Sequence, residues 1–313
     1  MPSRYSEFDR CRLKLKPLAE RVNDLQVSHW LKAGDAPIPF EHPDLPKLAS
    51  RIVEAKKRGA AVILMMGAHV IRAGVNAHII DLMERGFLTT VAMNGACVIH
   101  DYELARIGAT TESVARYIKT GEFGMWNETG ELNELLNDLG FGESVGQHIE
   151  ESRYPYKHLS ILAAAYRLRV PATIHIGIGY DIIHQHPNFD PAKAGAASYR
   201  DFLIFTKSME NLEGGILLAF GSAVMAPEIY LKALSMVRNT GKVVQKFTTA
   251  VFDLIKIEGN WHEQAEKSNP QYYYRPWKTI LVRTVADGGE SFYFCGDHRA
   301  TLPALHNLLT QGK

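Results

Sequence analysis

Four stretches of the chain share one pattern, a continuous apolar run that ends in glycine and small polar residues. The runs cover residues 60–66, 87–93, 171–178 and 215–220, and the third includes Gly177. Continuous apolar runs, rather than alternating ones, are typical of strands that are buried on both faces of a parallel sheet. The pattern therefore predicts an α/β chain with a Rossmann-like, doubly wound and mostly parallel sheet that carries helices on both faces.

The remaining segments predict further elements around this sheet. Strands are expected over 243–251 and 278–285, and 286–290 is predicted as a hairpin turn into a strand over 291–295. The 3.6-residue pattern predicts helices over 45–58, 74–85, 111–119, 130–139, 156–169, 198–212, 227–238 and 302–310. Residues 1–45 carry scattered prolines and are interpreted as an N-terminal arm, and 46–313 as one domain.

Composition excludes some classes of function. The 313 residues carry a formal net charge of +1, which favours neither nucleic acid nor an anionic membrane surface as a partner. The three cysteines form no CxxC pair and indicate a reducing compartment. No apolar run approaches the length of a membrane span, and the N-terminus lacks the apolar core of a signal peptide. We therefore expect a cytoplasmic protein without a nucleic-acid or membrane partner.

Glycine-containing turns follow the first two apolar runs. Residues 67–74, which begin with Gly67 and Ala68, can cradle a dinucleotide phosphate through backbone N–H groups. They can equally form a tight turn that needs glycine for steric reasons alone. Asn94, Gly95 and Ala96 repeat the arrangement at the end of the next strand, which favours a ligand crevice that spans both turns.

Acidic residues close to strand ends offer further contacts. Asp101, next to His100, suits ribose hydroxyls or a cationic amine, but taken alone its position favours the capping of a helix. Asp297 follows the last predicted strand, where ribose binding and capping of the final helix are compatible.

Asp181, His184 and His186 follow the third apolar run. Histidine and carboxylate side chains at this spacing are ligands that zinc or iron accepts, and His175 lies on the preceding strand. Alternatively, Asp181 is the counter-ion of an amine and the histidines line its pocket.

The segment 272–278 is unusually aromatic and ends in Trp277 and Lys278. Such a patch is common at subunit interfaces. It also suits an aromatic cage for an alkylamine, in which Lys278 loses its charge readily and forms a Schiff base.

Taken in their order along the chain, the segments described above resemble those of the deoxyhypusine synthase family, and most closely its bacterial deoxyhypusine synthase-like branch. The resemblance extends from about residue 60 to the C-terminus. It is carried by residues 67–75, 80–83, 94–96, 100–103, 220–224, 236–239, 248–250, 277–278 and 296–297.

The resemblance implies that 46–313 binds NAD, in a homotetramer with active sites at dimer interfaces. It implies oxidation of spermidine or a related polyamine with NAD and transfer of an aminobutyl group through an enzyme–lysine imine. The implied NAD contacts are Gly67, Ala68, Asn94, Gly95, Ala96, Thr249, Ala250 and Asp297, to which the capping or ribose-binding Asp101 is added. Lys278 is the implied imine-forming lysine and Trp277 stacks on the alkyl chain. The resemblance also implies that Asp181 faces the amine. From the chemistry of the side chains we expect His100 to bind the substrate as well, and Glu228 or His184 to act as the base.

Three other functions stay open. One is an NAD-dependent dehydrogenase or lyase that acts on another amine in the same crevice. Another is a metal-dependent enzyme centred on Asp181, His184 and His186. The last is a non-catalytic nucleotide-binding assembly protein.

Overall fold

The computed structural model describes residues 4–36 and 38–311. The predicted arm and domain also include residues 1–3, Pro37 and 312–313, which lie outside the described residues. The strands are β1 (Asn23–Gln26), β2 (Val62–Met66), β3 (Thr90–Asn94), β4 (Ala109–Glu112), β5 (Ala172–His175), β6 (Ile216–Phe220), β7 (Thr248–Asp253) and β8 (Glu290–Cys295).

Helices connect these strands and cover the sheet. The α-helices are α1 (Leu45–Arg58), α2 (Ala68–Arg72), α3 (Asn76–Glu84), α4 (Gly95–Ile107), α5 (Val114–Tyr117), α6 (Asn127–Gly130), α7 (Leu132–Leu135), α8 (Phe141–Glu151), α9 (Ile161–Leu168), α10 (Pro191–Met209), α11 (Met225–Asn239) and α12 (His298–Gln311). Residues Pro276–Arg283 form a π-helix. Short 3₁₀ helices cover Arg10–Arg12, Leu18–Glu20, Val27–His29, Lys157–Leu159 and Ile182–Gln185.

Six strands form one parallel sheet in the order β5-β3-β2-β6-β7-β8. Counted along the chain, these six strands lie in the order 3-2-1-4-5-6, which is the order of the dinucleotide-binding Rossmann sheet. The direction of the order reverses between β2 and β6. Beside this sheet, β1 and β4 form an antiparallel pair.

The sheet is buried on both faces. Alternate side chains of β2 point to opposite sides, so Val62, Leu64 and Met66 join one core while Ile63 and Met65 join the other. Helices α1, α4, α9 and α12 contribute to the first core, and α10, α11 and the π-helix to the second. The predicted fold class is therefore confirmed. Within the described ranges, no helix has the length and apolar character needed to cross a membrane.

The predicted strand over 278–285 and the predicted hairpin turn over 286–290 are wrong. The first segment lies largely in the π-helix, and β8 pairs with β7 in parallel, with Thr248 opposite Glu290. Parallel neighbours need a crossover connection, and the π-helix with its flanking loops is that connection. Apolar residues such as Ile280 and Leu281 are typical of a strand. In the structure they lie on one side of the π-helix and are buried in the second core.

The helix predicted over 111–119 is also only partly present. Its first residues lie in β4, where Leu25 pairs with Thr110 and Asn23 with Glu112, and only α5 is helical. The partner strand comes from a segment almost ninety positions earlier in the chain, so a local pattern does not show it. The prediction over 130–139 likewise yields only α7, a single turn.

Candidate functional site

The reversal of strand order places two turns side by side at the carboxyl edge of the sheet. Gly67 follows β2 and donates its N–H to the carbonyl of Phe220, at the end of β6, over 3.0 Å. A Cβ atom at Gly67 would lie 3.2 Å from the carbonyl carbon of Gly221 and closer still to its oxygen. Glycine is required here because the two backbones touch. Gly67 and Ala68, both predicted cofactor contacts, therefore lie at the point where this fold binds its ligands.

The next turn leads into α4. Asn94 caps this helix, because its side-chain oxygen accepts a hydrogen bond from the N–H of Cys97 over 3.1 Å. A Cβ atom at Gly95 would lie 2.6 Å from Cγ of Asp181. Gly95 thus makes room for a carboxylate at the N-terminus of α4, where the helix dipole favours negative charge. Three predicted site residues are brought together by this contact.

A cavity of about 270 Å³ opens beside the first turns of α4. Its wall combines α4, β4, the end of α2 and the loop after β5. Ala96, His100 and Asp181 line it together, although they were predicted for two different roles. The other lining residues are Arg21, Arg72, Ile99, Glu103, Thr111, Glu112, Val114, Phe123, Tyr180 and Ile182.

Asp181 is the principal charged group of this cavity. Only 10% of its side chain is exposed, and burial raises its pKa to about 6. In the part of the chain that the structure describes, no lysine or arginine pairs with it. A buried carboxylate without a cation is costly unless a ligand supplies the positive charge.

His184 is the nearest titratable neighbour of Asp181. Its Nδ1 accepts hydrogen bonds from the N–H groups of Gly179 and Asp181, over 3.1 and 3.2 Å, so the proton belongs on Nε2. That Nε2 is buried without a hydrogen-bond partner among the described residues and lies 3.9 Å from Oδ2 of Asp181. Burial lowers the pKa of His184, so the ring is a neutral donor beside the carboxylate.

Two residues of the cavity wall, Arg72 and Glu103, are not among the predicted site residues, although both lie in segments that carry the resemblance. Arg72 is exposed at the cavity, and within residues 4–36 and 38–311 its guanidinium forms no ion pair or hydrogen bond. Glu103 lies three residues after His100 on α4, a spacing that places both on one face of the helix. Glu103 forms an ion pair with Arg21 of the N-terminal arm, and no local sequence pattern predicts this pairing.

Asp101 has a structural environment. It is fully buried and accepts hydrogen bonds from Oγ of Ser160 and from the N–H groups of Ile161 and Leu162, over 2.5, 2.9 and 3.1 Å. Burial raises its pKa to about 6 despite these bonds. Its carboxylate caps α9, a helix other than its own, and its contact with a cofactor stays a prediction.

Thr249 and Ala250 are also enclosed. Both are fully buried within β7, and the hydroxyl of Thr249 donates to the carbonyl of Ile280 over 3.0 Å. Asp297, in contrast, is exposed at the carboxyl edge and accepts from the N–H of Arg299 over 2.8 Å at the start of α12. The capping expected of Asp297 is present, and cofactor contact by these three residues stays a prediction.

Lys278 and Trp277 lie on the π-helix beside β7 and β8. Nζ of Lys278 lies 4.0 Å from the ring centroid of Tyr272 and 5.7 Å from that of Tyr273. Trp277 is only 3% exposed, and its indole N–H donates to the carbonyl of Glu263 over 2.9 Å. The aromatic surroundings expected for Lys278 exist, but Trp277 packs into the core.

Glu228 lies on the same side of the molecule, in the first turn of α11. It pairs with Lys232 and, over 2.6 Å, with Arg275. Its hydrogen bond with Lys232 is the main reason that its pKa is lowered. A carboxylate held ionised by two cations is a weak proton acceptor, so this arrangement does not favour Glu228 as the base.

The sheet separates these residues from the cavity. The carboxylate of Asp181 lies against Gly95 at the end of β3, whereas Lys278 belongs to the crossover after β7, and these two strands are three positions apart in the sheet. Neighbouring strands lie about 4.8 Å apart, so the ends of β3 and β7 are about 14 Å apart within one chain. The strand order therefore separates Lys278 from Asp181 in a single protomer.

The metal alternative receives no geometric support. Nε2 of His186 bonds to the carbonyl oxygen of Gly124 over 2.7 Å, and the ring is fully buried. Over residues 4–36 and 38–311 no group of three or more histidine, cysteine, aspartate or glutamate side chains has the arrangement of a metal site.

No protein-family model matches the chain, and no curated protein matches it. Solved structures share its fold. Unliganded AgrE aligns with a TM-score of 0.54 and 14% identity, over 88% of this chain and 34% of that chain. AgrE in a ternary complex with ornithine and NAD⁺ aligns with a TM-score of 0.50 and 15% identity, over the same shares. A putative deoxyhypusine synthase from Entamoeba histolytica aligns with a TM-score of 0.44 and 8% identity, over 85% of this chain and 86% of that chain.

The likeness to AgrE concerns the fold and supports the Rossmann-like assignment. This chain spans about a third of the length of the AgrE chains that it matches. Membership of the deoxyhypusine synthase family stays a prediction.

Proposed function

We propose that this chain is an NAD-dependent enzyme that acts on a small cationic amine. In its most specific form it transfers an aminoalkyl group from spermidine or a related polyamine through an imine on Lys278. The observation that carries the proposal is the position of Asp181, a buried carboxylate without a lysine or arginine partner among the described residues. It lies at the carboxyl edge of a sheet whose strand order is that of dinucleotide-binding folds.

The turn at Gly67 fits a dinucleotide. The close crossing of Gly67 and Gly221 leaves no side chain between the ends of β2 and β6, which is where this class of sheet takes its cofactor. Gly67, Ala68, Asn94, Gly95 and Ala96 are the residues proposed to hold NAD, which supplies a hydride acceptor for amine oxidation. AgrE, which shares the fold, crystallised with ornithine and NAD⁺, and this supports the choice of cofactor.

The cavity favours a cation. Its carboxylates are Glu103, Glu112 and Asp181, and Glu103 is already neutralised by Arg21. Glu112 accepts hydrogen bonds from the N–H of Gly124 and from the indole of Trp126, over 3.0 and 2.9 Å. Asp181 is therefore the carboxylate left for an ammonium group, which would pair with it and offset its burial.

A second copy of the chain is needed for aminoalkyl transfer. The separation of about 14 Å between the ends of β3 and β7 is larger than the reach of one lysine side chain. A partner subunit can present its own Lys278 to the cavity, as the resemblance to deoxyhypusine synthase implies for active sites at dimer interfaces. Each site would then combine Asp181 of one copy with Lys278 of another.

One observation favours a second candidate function. The guanidinium of Arg72, which has no hydrogen-bond or ion-pair partner among the described residues, lines the same cavity as Asp181. Arginine binds carboxylates in a bidentate manner, so an amine that also carries a carboxylate would satisfy both residues. An NAD-dependent dehydrogenase or lyase for such an amino acid is therefore the alternative to polyamine transfer.

Binding experiments test the general proposal. We expect NAD to raise the melting temperature of the wild-type protein, and spermidine to raise it further when NAD is present. Asp181→Asn should retain the NAD effect and lose the amine effect. Asp138→Asn, at an exposed carboxylate, is the matched control and should behave like the wild type. An amine effect that survives in Asp181→Asn would exclude Asp181 as the ammonium site.

Subunit mixing tests the transferase form. If sites are shared between two copies, Asp181→Asn and Lys278→Ala are each inactive alone. A random mixture of the two regains about a quarter of the wild-type rate, because half of the dimers contain one intact site. No recovery after subunit exchange would contradict a shared site. Product analysis with spermidine and with ornithine separates transfer from the dehydrogenase or lyase alternative.

A further inference from the structure

A buried hydrogen-bond network connects the N-terminal arm with the cavity. Nη1 and Nη2 of Arg21 donate to the two carboxylate oxygens of Glu103, each over 2.7 Å. Thr110 and Thr129 donate their hydroxyl protons to the two oxygens of the same carboxylate, each over 2.7 Å. The network ends at His100, whose Nδ1 lies 2.8 Å from Oγ1 of Thr110. All of these residues except His100 are buried.

The number of protons in this network decides the state of His100. Burial raises the pKa of Glu103, but the hydrogen bonds and charge of Arg21 outweigh it, so the carboxylate is ionised and only accepts. Thr110 has one hydroxyl proton, and it is given to Glu103. Towards His100 the hydroxyl oxygen can therefore only accept. His100 must carry its proton on Nδ1, which leaves Nε2 with a free lone pair.

Burial keeps the ring in this neutral form. It lowers the pKa of His100 to about 4, and the neighbouring Arg72 and Arg21 add to the effect while Glu103 opposes it. His100 therefore does not compete as a cation with a positively charged ligand. It lines the same cavity as Asp181, and no residue of the described ranges donates a hydrogen bond to its Nε2.

We infer that His100 is a specificity-determining residue that accepts a hydrogen bond from a primary ammonium group, with Glu103 and Thr110 as its positioning residues. This inference rests on the proposed function. A primary ammonium has three N–H donors, which can be shared between Nε2 of His100 and the carboxylate of Asp181. A quaternary ammonium has the same charge but no donor, so the network selects primary amines over fully methylated ones.

The chain offers a matched pair of variants for the test. Thr110→Val and Thr129→Val each remove one 2.7 Å hydrogen bond to Glu103 from a fully buried threonine. Only Thr110 also contacts His100. Thr110→Ser keeps the hydroxyl and should restore the wild-type behaviour, which separates the hydrogen bond from general effects on folding.

The first measurement is the tautomer of His100, read from ¹⁵N chemical shifts of histidine-labelled protein without any ligand. We expect the Nδ1–H form in the wild type, in Thr110→Ser and in Thr129→Val, and a changed tautomer population in Thr110→Val. An Nε2–H form in the wild type would overturn the inference.

The second measurement is calorimetric binding of 1,4-diaminobutane and of its fully N-methylated bis-quaternary analogue, in the presence of NAD. Thr110→Val should bind the diamine about tenfold more weakly than Thr129→Val does, with the affinity for the methylated analogue unchanged. Equal diamine binding by the two variants refutes the role of His100 but not the proposed function. Absence of diamine binding by the wild type refutes the proposed function and this inference with it.

Discussion

Substitution of Gly95 by alanine tests the contact on which the cavity depends. Gly95 is the first residue of α4, and a Cβ atom there would lie 2.6 Å from Cγ of Asp181. Ordinary van der Waals contact begins at 3.4 Å. Oδ2 of Asp181 would lie closer still to the added atom, so the carboxyl group must retreat by more than about 0.8 Å, which removes it from its present position at the end of the helix.

The expected cost follows from overpacking. Forcing an extra methyl group into a packed site costs about 1–3 kcal/mol, which for a chain of this size lowers the melting temperature by about 1.5–4.5 °C. Gly195→Ala is the control, because Gly195 lies inside α10 with no atom within 4 Å of the added methyl group. There alanine should stabilise the protein by about 0.5–1 kcal/mol, through its better helix propensity.

The assay is urea unfolding together with calorimetric titration of spermidine in the presence of NAD. We expect Gly95→Ala to lose both stability and amine affinity. A double-mutant cycle identifies the cause, since the loss of stability should vanish in an Asp181→Ala background, where the clash is absent. If Gly95→Ala is as stable as Gly195→Ala and binds spermidine normally, the described contact between Gly95 and Asp181 is incorrect.

Three further predictions concern individual side chains. Since burial raises the pKa of Asp181 to about 6, amine affinity should be constant above about pH 7 and fall about tenfold per pH unit below 6. Asp181→Asn should bind the amine weakly at every pH, without this dependence. Asp101→Ala should lower the free energy of unfolding by about 2–4 kcal/mol, because the carboxylate of Asp101 caps α9. The variant should bind NAD as tightly as the wild type. A tenfold loss of NAD affinity at unchanged stability would instead identify a cofactor contact. Thr249→Val should lower the free energy of unfolding in urea by about 1 kcal/mol, because the hydrogen bond to the carbonyl of Ile280 is lost. NAD binding measured by calorimetry should be unchanged. Weaker NAD binding would contradict the enclosed position of Thr249.

The central strands could be predicted because their signal is local. A strand that is buried on both faces must be apolar at every position, and such runs end where the chain leaves the sheet. The runs that end near residues 66, 93 and 220 therefore marked β2, β3 and β6, together with the glycine turns at their carboxyl ends. Parallel strands share one edge for these ends, so candidate residues at that edge, such as Gly67 and Asn94, followed as well.

What the sequence did not determine are the contacts between distant segments. Asp181 lies against Gly95, and Arg21 neutralises Glu103, across separations that no local pattern records. The segment Pro276–Arg283 has the composition of a strand, yet it forms a helix because a parallel crossover must pack on the face of the sheet. Propensity acts between near neighbours in the chain, whereas burial and charge pairing act between neighbours in space. Only the tertiary structure decided which acidic groups are neutralised, and that Asp181 is buried without a lysine or arginine partner among the described residues.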